Sequence, residues 1–209
     1  MRKILALALC LLTMLVPLAA RAEAAPETAL AWLPAGATYL GEEPAGSGRA
    51  LSYQTDENAW TLTLDGAGNA LSLQSAGAAA GGLQTRAEAE AALWTLDEAA
   101  LILRAEEGDG PARLYFVATG AAGWAQFATA GGLAAGAVAF GQFLSNGQLT
   151  FAGASQVLQI LRPGAQLDGM EMDEDDGMLL YEGDAYLDGQ EYEFELDART
   201  GRLLEWERD

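Results

Sequence analysis

Asp188-Gly189-Gln190-Glu191-Tyr192-Glu193-Phe194-Glu195-Leu196-Asp197-Ala198-Arg199-Thr200-Gly201-Arg202-Leu203-Leu204 is the stretch on which the fold reading turns. Asp188-Gly189 is a two-residue turn of the kind β-hairpins favour. From Tyr192 to Leu196 apolar and acidic residues alternate strictly, so Tyr192, Phe194 and Leu196 point inward and Glu193 and Glu195 outward. Thr200-Gly201 turns the chain once more, into a strand over Leu203 to Trp206.

Upstream, Met178 to Leu187 reads as a strand, Asp173 to Gly177 as a hairpin connection, and Gln166 to Met172 as an alternating strand. Ala154 to Leu161 is a short helix with Val157, Leu158 and Leu161 on one side, stopped by Pro163-Gly164. One helix followed by an antiparallel meander is the resulting unit. Two earlier segments share its layout. An Ala precedes a Tyr by 16 residues in the first (Ala37, Tyr53), 15 in the second (Ala100, Tyr115) and 16 in the third (Ala165, Tyr181). An aromatic stands before each turn: Trp60, Trp124 and Tyr192. A period near 60 residues argues for three copies of one supersecondary unit. The expected fold is therefore α+β, with three tandem units, each a short helix packed on a three- to four-stranded antiparallel sheet. The units are placed at 26–76, 83–141 and 148–209, and the third is expected to fold by itself.

The third unit resembles a PepSY domain. The residues that carry the likeness are Leu161-Arg162-Pro163-Gly164-Ala165, Leu179-Leu180-Tyr181-Glu182 and the stretch 188–204, above all Tyr192 with Asp197-x-x-Thr200-Gly201. The first two units resemble degenerate copies; in the second, Ala128 replaces the Asp and Gly131-Gly132 the Thr-Gly. Tandem units of this kind are similar to those of secreted or membrane-anchored proteins of Gram-positive bacteria, including a spore-germination family that accompanies a cortex-lytic enzyme. They also resemble a segment of secreted metallopeptidase propeptides. The resemblance implies modulation of peptidases outside the cytoplasm, without catalysis of its own.

Composition agrees with a non-catalytic reading. The 209 residues carry 30 acids against 11 bases, a formal charge of −19, with one Cys and no His. A Cys/His zinc site, a Ser-His-Asp triad and a Cys-His dyad are thereby excluded. No basic footprint for nucleic acid is present. Arg2-Lys3, the apolar run Ile4 to Ala20 and the small-x-small site Ala20-Arg21-Ala22 read as a secretory signal peptide over 1–22, cut between Ala22 and Glu23. The mature chain then has eight Arg against 30 acids, a net charge of −22, and no Cys to form a disulfide. Leu114 to Leu144 carries no charge over 31 residues, yet it is mostly Gly and Ala with short bulky clusters. Buried strands joined by Gly turns fit it better than a membrane span.

No catalytic, cofactor-binding or metal-binding residue is assigned. Asp173-Glu174-Asp175-Asp176 lacks the ligand spacing of a calcium loop and reads as a solvated hairpin tip. The recurring tyrosines and Trp32, Trp60, Trp94, Trp124 and Trp206 read as core packing ahead of a carbohydrate platform. Glu182, Asp184, Glu191, Glu193 and Glu195, on outward strand faces, are the candidate partner-binding residues. The expected function is an exported module, secreted or in the cell envelope, that binds or modulates a peptidase or cell-wall hydrolase. The alternative is a structural or scaffold protein of the envelope or spore.

Overall fold

A computed structural model of the chain describes residues 25–130 and 132–208. The expected signal peptide and its cleavage point at Ala22 and Glu23 lie outside the described residues. Strand dominates. After a one-turn helix α1 (Glu27–Leu30), β1 (Thr38–Ala45), β2 (Gly48–Gln54), β3 (Ala59–Leu64) and β4 (Ala70–Ser75) form an antiparallel meander. Helix α2 (Arg86–Leu96) follows, opened by a capping box in which Thr85 and Glu88 satisfy each other's backbone donors. A second meander comprises β5 (Leu101–Glu106), β6 (Arg113–Val117), β7 (Ala121–Phe127) and β8 (Leu133–Phe140).

These two meanders are not separate units. Strand β4 pairs antiparallel with β8 through Ser72↔Ala139, Leu73↔Val138 and Gln74↔Ala137. One eight-stranded sheet results, in the order β1-β2-β3-β4-β8-β7-β6-β5. This overturns the expected three helix-on-sheet units. The physical reason is that each meander ends on a strand with an open edge, and joining the two edges satisfies both rows of backbone groups. The first meander also has only the single turn of α1 as its helix. Leu51, Tyr53, Trp60, Leu62, Leu73, Phe116 and Val138 fill one continuous core on one face, with Ala89 and Leu93 of α2. Trp32 stacks on Phe116 there, the rings 5.3 Å apart and nearly parallel.

The hairpin β9 (Leu144–Ser145) and β10 (Gln148–Leu149) leads into α3 (Phe151–Leu161), capped by Thr150. The last sheet is β11 (Gln166–Asp175), β12 (Met178–Leu187), β13 (Gln190–Asp197) and β14 (Leu203–Arg208), in that order. The expected hairpin tip is tighter than the sequence reading: β11 runs through Asp175, and only Asp176 (φ 48°) and Gly177 (φ 81°) make the turn.

Helix α3 lies between the two sheets. Its Ala154, Val157 and Leu158 share one buried cluster with Tyr181, Ala185, Phe194 and Leu196 of the small sheet and with Val117 and Ala122 of the large one. The C-terminal unit thus borrows part of its core from the second meander. The joint is the Asp197–Gly201 turn. Its Asp197 carboxylate accepts hydrogen bonds from the backbone N–H of Arg199 and Thr200. Burial pushes that carboxyl up, but those hydrogen bonds outweigh it and hold it below the ordinary aspartate value. Gly201 sits at φ +68°, and a Cβ there would lie 2.9 Å from Leu103 Cδ2 of β5. Glycine adopts this positive φ without strain and leaves the turn room against Leu103.

Candidate functional site

The small sheet has one covered and one open face. Period-two alternation sends Tyr181, Ala185, Phe194 and Leu196 to α3, so the intervening acids face away from it. Antiparallel register then lines those acids up across strands. Glu171 pairs with Glu182, Glu182 with Glu195, and Glu195 with Glu205, one glutamate from each of the four strands. The neighbouring row pairs Gly169 with Asp184, Asp184 with Glu193, and Glu193 with Glu207. None of the residues in either row is cationic, and among the described residues none of these acids is in an ion pair. A depression of about 430 Å³ runs over Gly169, Glu182, Asp184, Glu193, Glu195 and Glu205.

Like charges placed directly opposite one another across strands oppose sheet formation. That repulsion, together with burial, acts on the carboxyls themselves. Partial desolvation first, then the charges of Asp173, Glu195, Glu171 and Asp175, push the Glu182 carboxyl above its ordinary value. Glu205 is pushed up likewise, by desolvation and then by Glu195, Glu207 and Glu193.

Of the candidate partner-binding residues, Glu182, Asp184, Glu193 and Glu195 come together on this face. Glu191 lies at its far end, opposite Tyr186, whose hydroxyl donates to it at 2.8 Å. Glu171, Glu205 and Glu207 complete the rows but were missed in the sequence, because their place depends on which strands pair and in what register. No group of three or more carboxylates among the described residues is arranged to hold a metal ion.

The aromatic residues divide. Tyr53, Trp60 and Trp32 are in the core, and the buried Tyr181 hydroxyl donates to the Leu149 carbonyl at 2.8 Å. Tyr115, whose spacing in its unit is one residue shorter, points to the other face of its sheet, and Phe116 takes the core position. A one-residue slip inverts a strand's faces, which accounts for the exchange. Trp94 is exposed on α2, Trp124 lies under the Arg113 guanidinium, and Trp206 stacks on Tyr192. The five do not form one platform. No helix among the described residues is long and apolar enough to cross a membrane.

Residues 154–207, which take in most of α3 and the small sheet, match the PepSY family model, described as peptidase propeptide and YPEB domain. PepSY domains are modules of propeptide or regulatory type. No curated protein matches the chain. Among solved structures, the chain is similar to the Bacillus megaterium YpeB C-terminal domain. Identity is 11%, coverage 86% of this chain and 93% of that one, and the TM-score 0.43. A protein described as a lipoprotein from Clostridium difficile 630 is also 11% identical, over 83% of this chain and 82% of its own, with a TM-score of 0.28.

Proposed function

We propose that the protein is a non-catalytic extracytoplasmic module that holds a peptidase or other hydrolase against the open acidic face of its C-terminal sheet. The observation that carries this is the pair of carboxylate rows, Glu171–Glu182–Glu195–Glu205 and Asp184–Glu193–Glu207, in register and without a cation among them. A surface of one sign steers an oppositely charged partner and is relieved of self-repulsion when the partner docks. The PepSY match supports a regulatory rather than a catalytic role. Export is supported by the Arg2-Lys3, apolar-run and Ala20-Arg21-Ala22 pattern. We read 26–76, 83–141 and 148–209 as descendants of one meander, the first two now merged through β4 and β8. The merged sheet then serves as the base that α3 and the acidic sheet stand on.

The test is to immobilise the full chain and pass over it the secreted fraction of the source organism at low and high salt, with peptidase assays on what is retained. The proposal expects a basic peptidase or wall hydrolase, retained at low salt and released at high salt. Retention of proteins that ignores salt, or of no hydrolase, would point to the scaffold alternative.

A further inference from the structure

A second cleft, also about 430 Å³, opens where the two sheets meet. Its apolar walls are Ile102, Leu103, Leu161 and Leu203, and Arg162 and Arg202 line it as well. Ile102 packs with the core on one face of the large sheet, whereas Leu103 packs with the cluster on the other face. The cleft therefore borders β5, an end strand of the large sheet, beside the Thr200-Gly201 turn and the end of α3. Among the described residues no strand pairs with the outer edge of β5, which ends the eight-stranded order. Unpaired strand edges offer backbone donors and acceptors to an added strand.

The two arginines stand out by charge. The segment from Asp168 to Asp209 holds 16 acids, yet neither Arg162 nor Arg202 is in an ion pair among the described residues. Arg162 is held in place: its Nη1 donates to the Leu161 carbonyl at 3.1 Å, and its guanidinium lies 5.1 Å from the centre of the Trp206 ring. Arg202 is exposed, just before β14. In a chain this acidic, two guanidiniums without a carboxylate beside an aliphatic cleft complement a ligand that brings its own carboxylate. Guanidinium is suited to it through paired N–H donors.

We propose that this cleft receives the C-terminal end of an extended peptide, with an aliphatic last residue between Ile102, Leu103, Leu161 and Leu203, its carboxylate on Arg162 and Arg202, and its backbone along β5. The cleft shares no residue with the acidic face, so the two readings stand or fall separately. The test uses isothermal titration of the full chain with N-acetyl-Gly-Val-Val-Leu, as the free acid and as the C-terminal amide. The acid should bind, and the amide should bind at least about tenfold more weakly, since one charge-assisted contact is lost. Arg162→Gln and Arg202→Gln should each weaken the acid by about fivefold or more, and Arg199→Gln, a nearby arginine outside the cleft, should not. Far-ultraviolet spectra and melting curves establish that each variant is folded. Equal binding of acid and amide, no binding of the acid, an equal loss in Arg199→Gln, or octanoate binding as well as the peptide would each overturn the proposal.

Discussion

Replacing Gly201 by Ala tests the joint between the PepSY unit and the large sheet. Two costs are expected. An L-residue at φ +68° is in the left-handed region, at about 1–2 kcal/mol. The new methyl would also stand 2.9 Å from Leu103 Cδ2, 3.5 Å from Val157 Cγ2 and 3.8 Å from Leu101 Cδ1. Overpacking of this kind costs about 1–3 kcal/mol. Leu103 is only partly buried and can move aside, so the total should fall in the lower half of about 2–5 kcal/mol. Gly189→Ala is the control: φ is +77°, but nothing lies within 4 Å of the added methyl, so only the first cost applies. Urea unfolding of both variants separates packing from backbone strain. Gly201→Ala should be less stable than Gly189→Ala by about 1 kcal/mol or more, and adding Leu103→Ala should recover part of that difference. Equal losses in the two glycine variants, with no coupling to Leu103, would refute the docking of this turn on β5.

Three further outcomes are expected. Glu182→Gln and Glu205→Gln should raise the melting temperature at neutral pH. Both carboxyls are held above the ordinary 4.5 in the folded chain, so their contribution to stability is complete below that value and lost as pH rises through the folded one. The gain from Gln should therefore vanish on acidification below pH 4.5, and melting curves across pH check this. Residues 148–209 expressed alone leave the side of α3 that meets Val117 and Ala122 bare, so their urea midpoint should lie below that of the full chain. Tyr181→Phe removes the buried hydrogen bond to the Leu149 carbonyl and should cost about 1–2 kcal/mol in the same assay.

The C-terminal unit was legible because its signals are local. Asp188-Gly189 adopts the positive-φ turn its composition demands, and the Glu193/Phe194/Glu195/Leu196 alternation sorts into open and buried faces as period two requires. The union of the first two meanders was not legible. Pairing of β4 with β8 is a contact between residues more than 60 positions apart, and nothing in Ser72, Leu73 or Gln74 names Val138 as a partner. Tyr115 misled because its spacing of 15 looked equivalent to 16, although one residue decides the face of a strand. The double coverage of α3 did leave a trace. Phe151-Ala-Gly-Ala-Ser-Gln-Val-Leu-Gln-Ile-Leu161 is apolar around most of its circumference, as expected of a helix buried on two sides. Of the acidic face, the β12 and β13 acids could be named from alternation alone, whereas Glu171, Glu205 and Glu207 needed the register of the outer strands.

The central claim is that the carboxylate rows form a binding surface. It is tested most directly by surface plasmon resonance, pairing the full chain with the hydrolase it retains, in wild type and in the Glu182→Gln/Glu195→Gln/Glu205→Gln variant, at low and high salt. The account predicts a variant more stable than wild type that binds about tenfold or more weakly, with a flattened salt dependence. A variant that binds as tightly as wild type, with the same salt dependence, would contradict it.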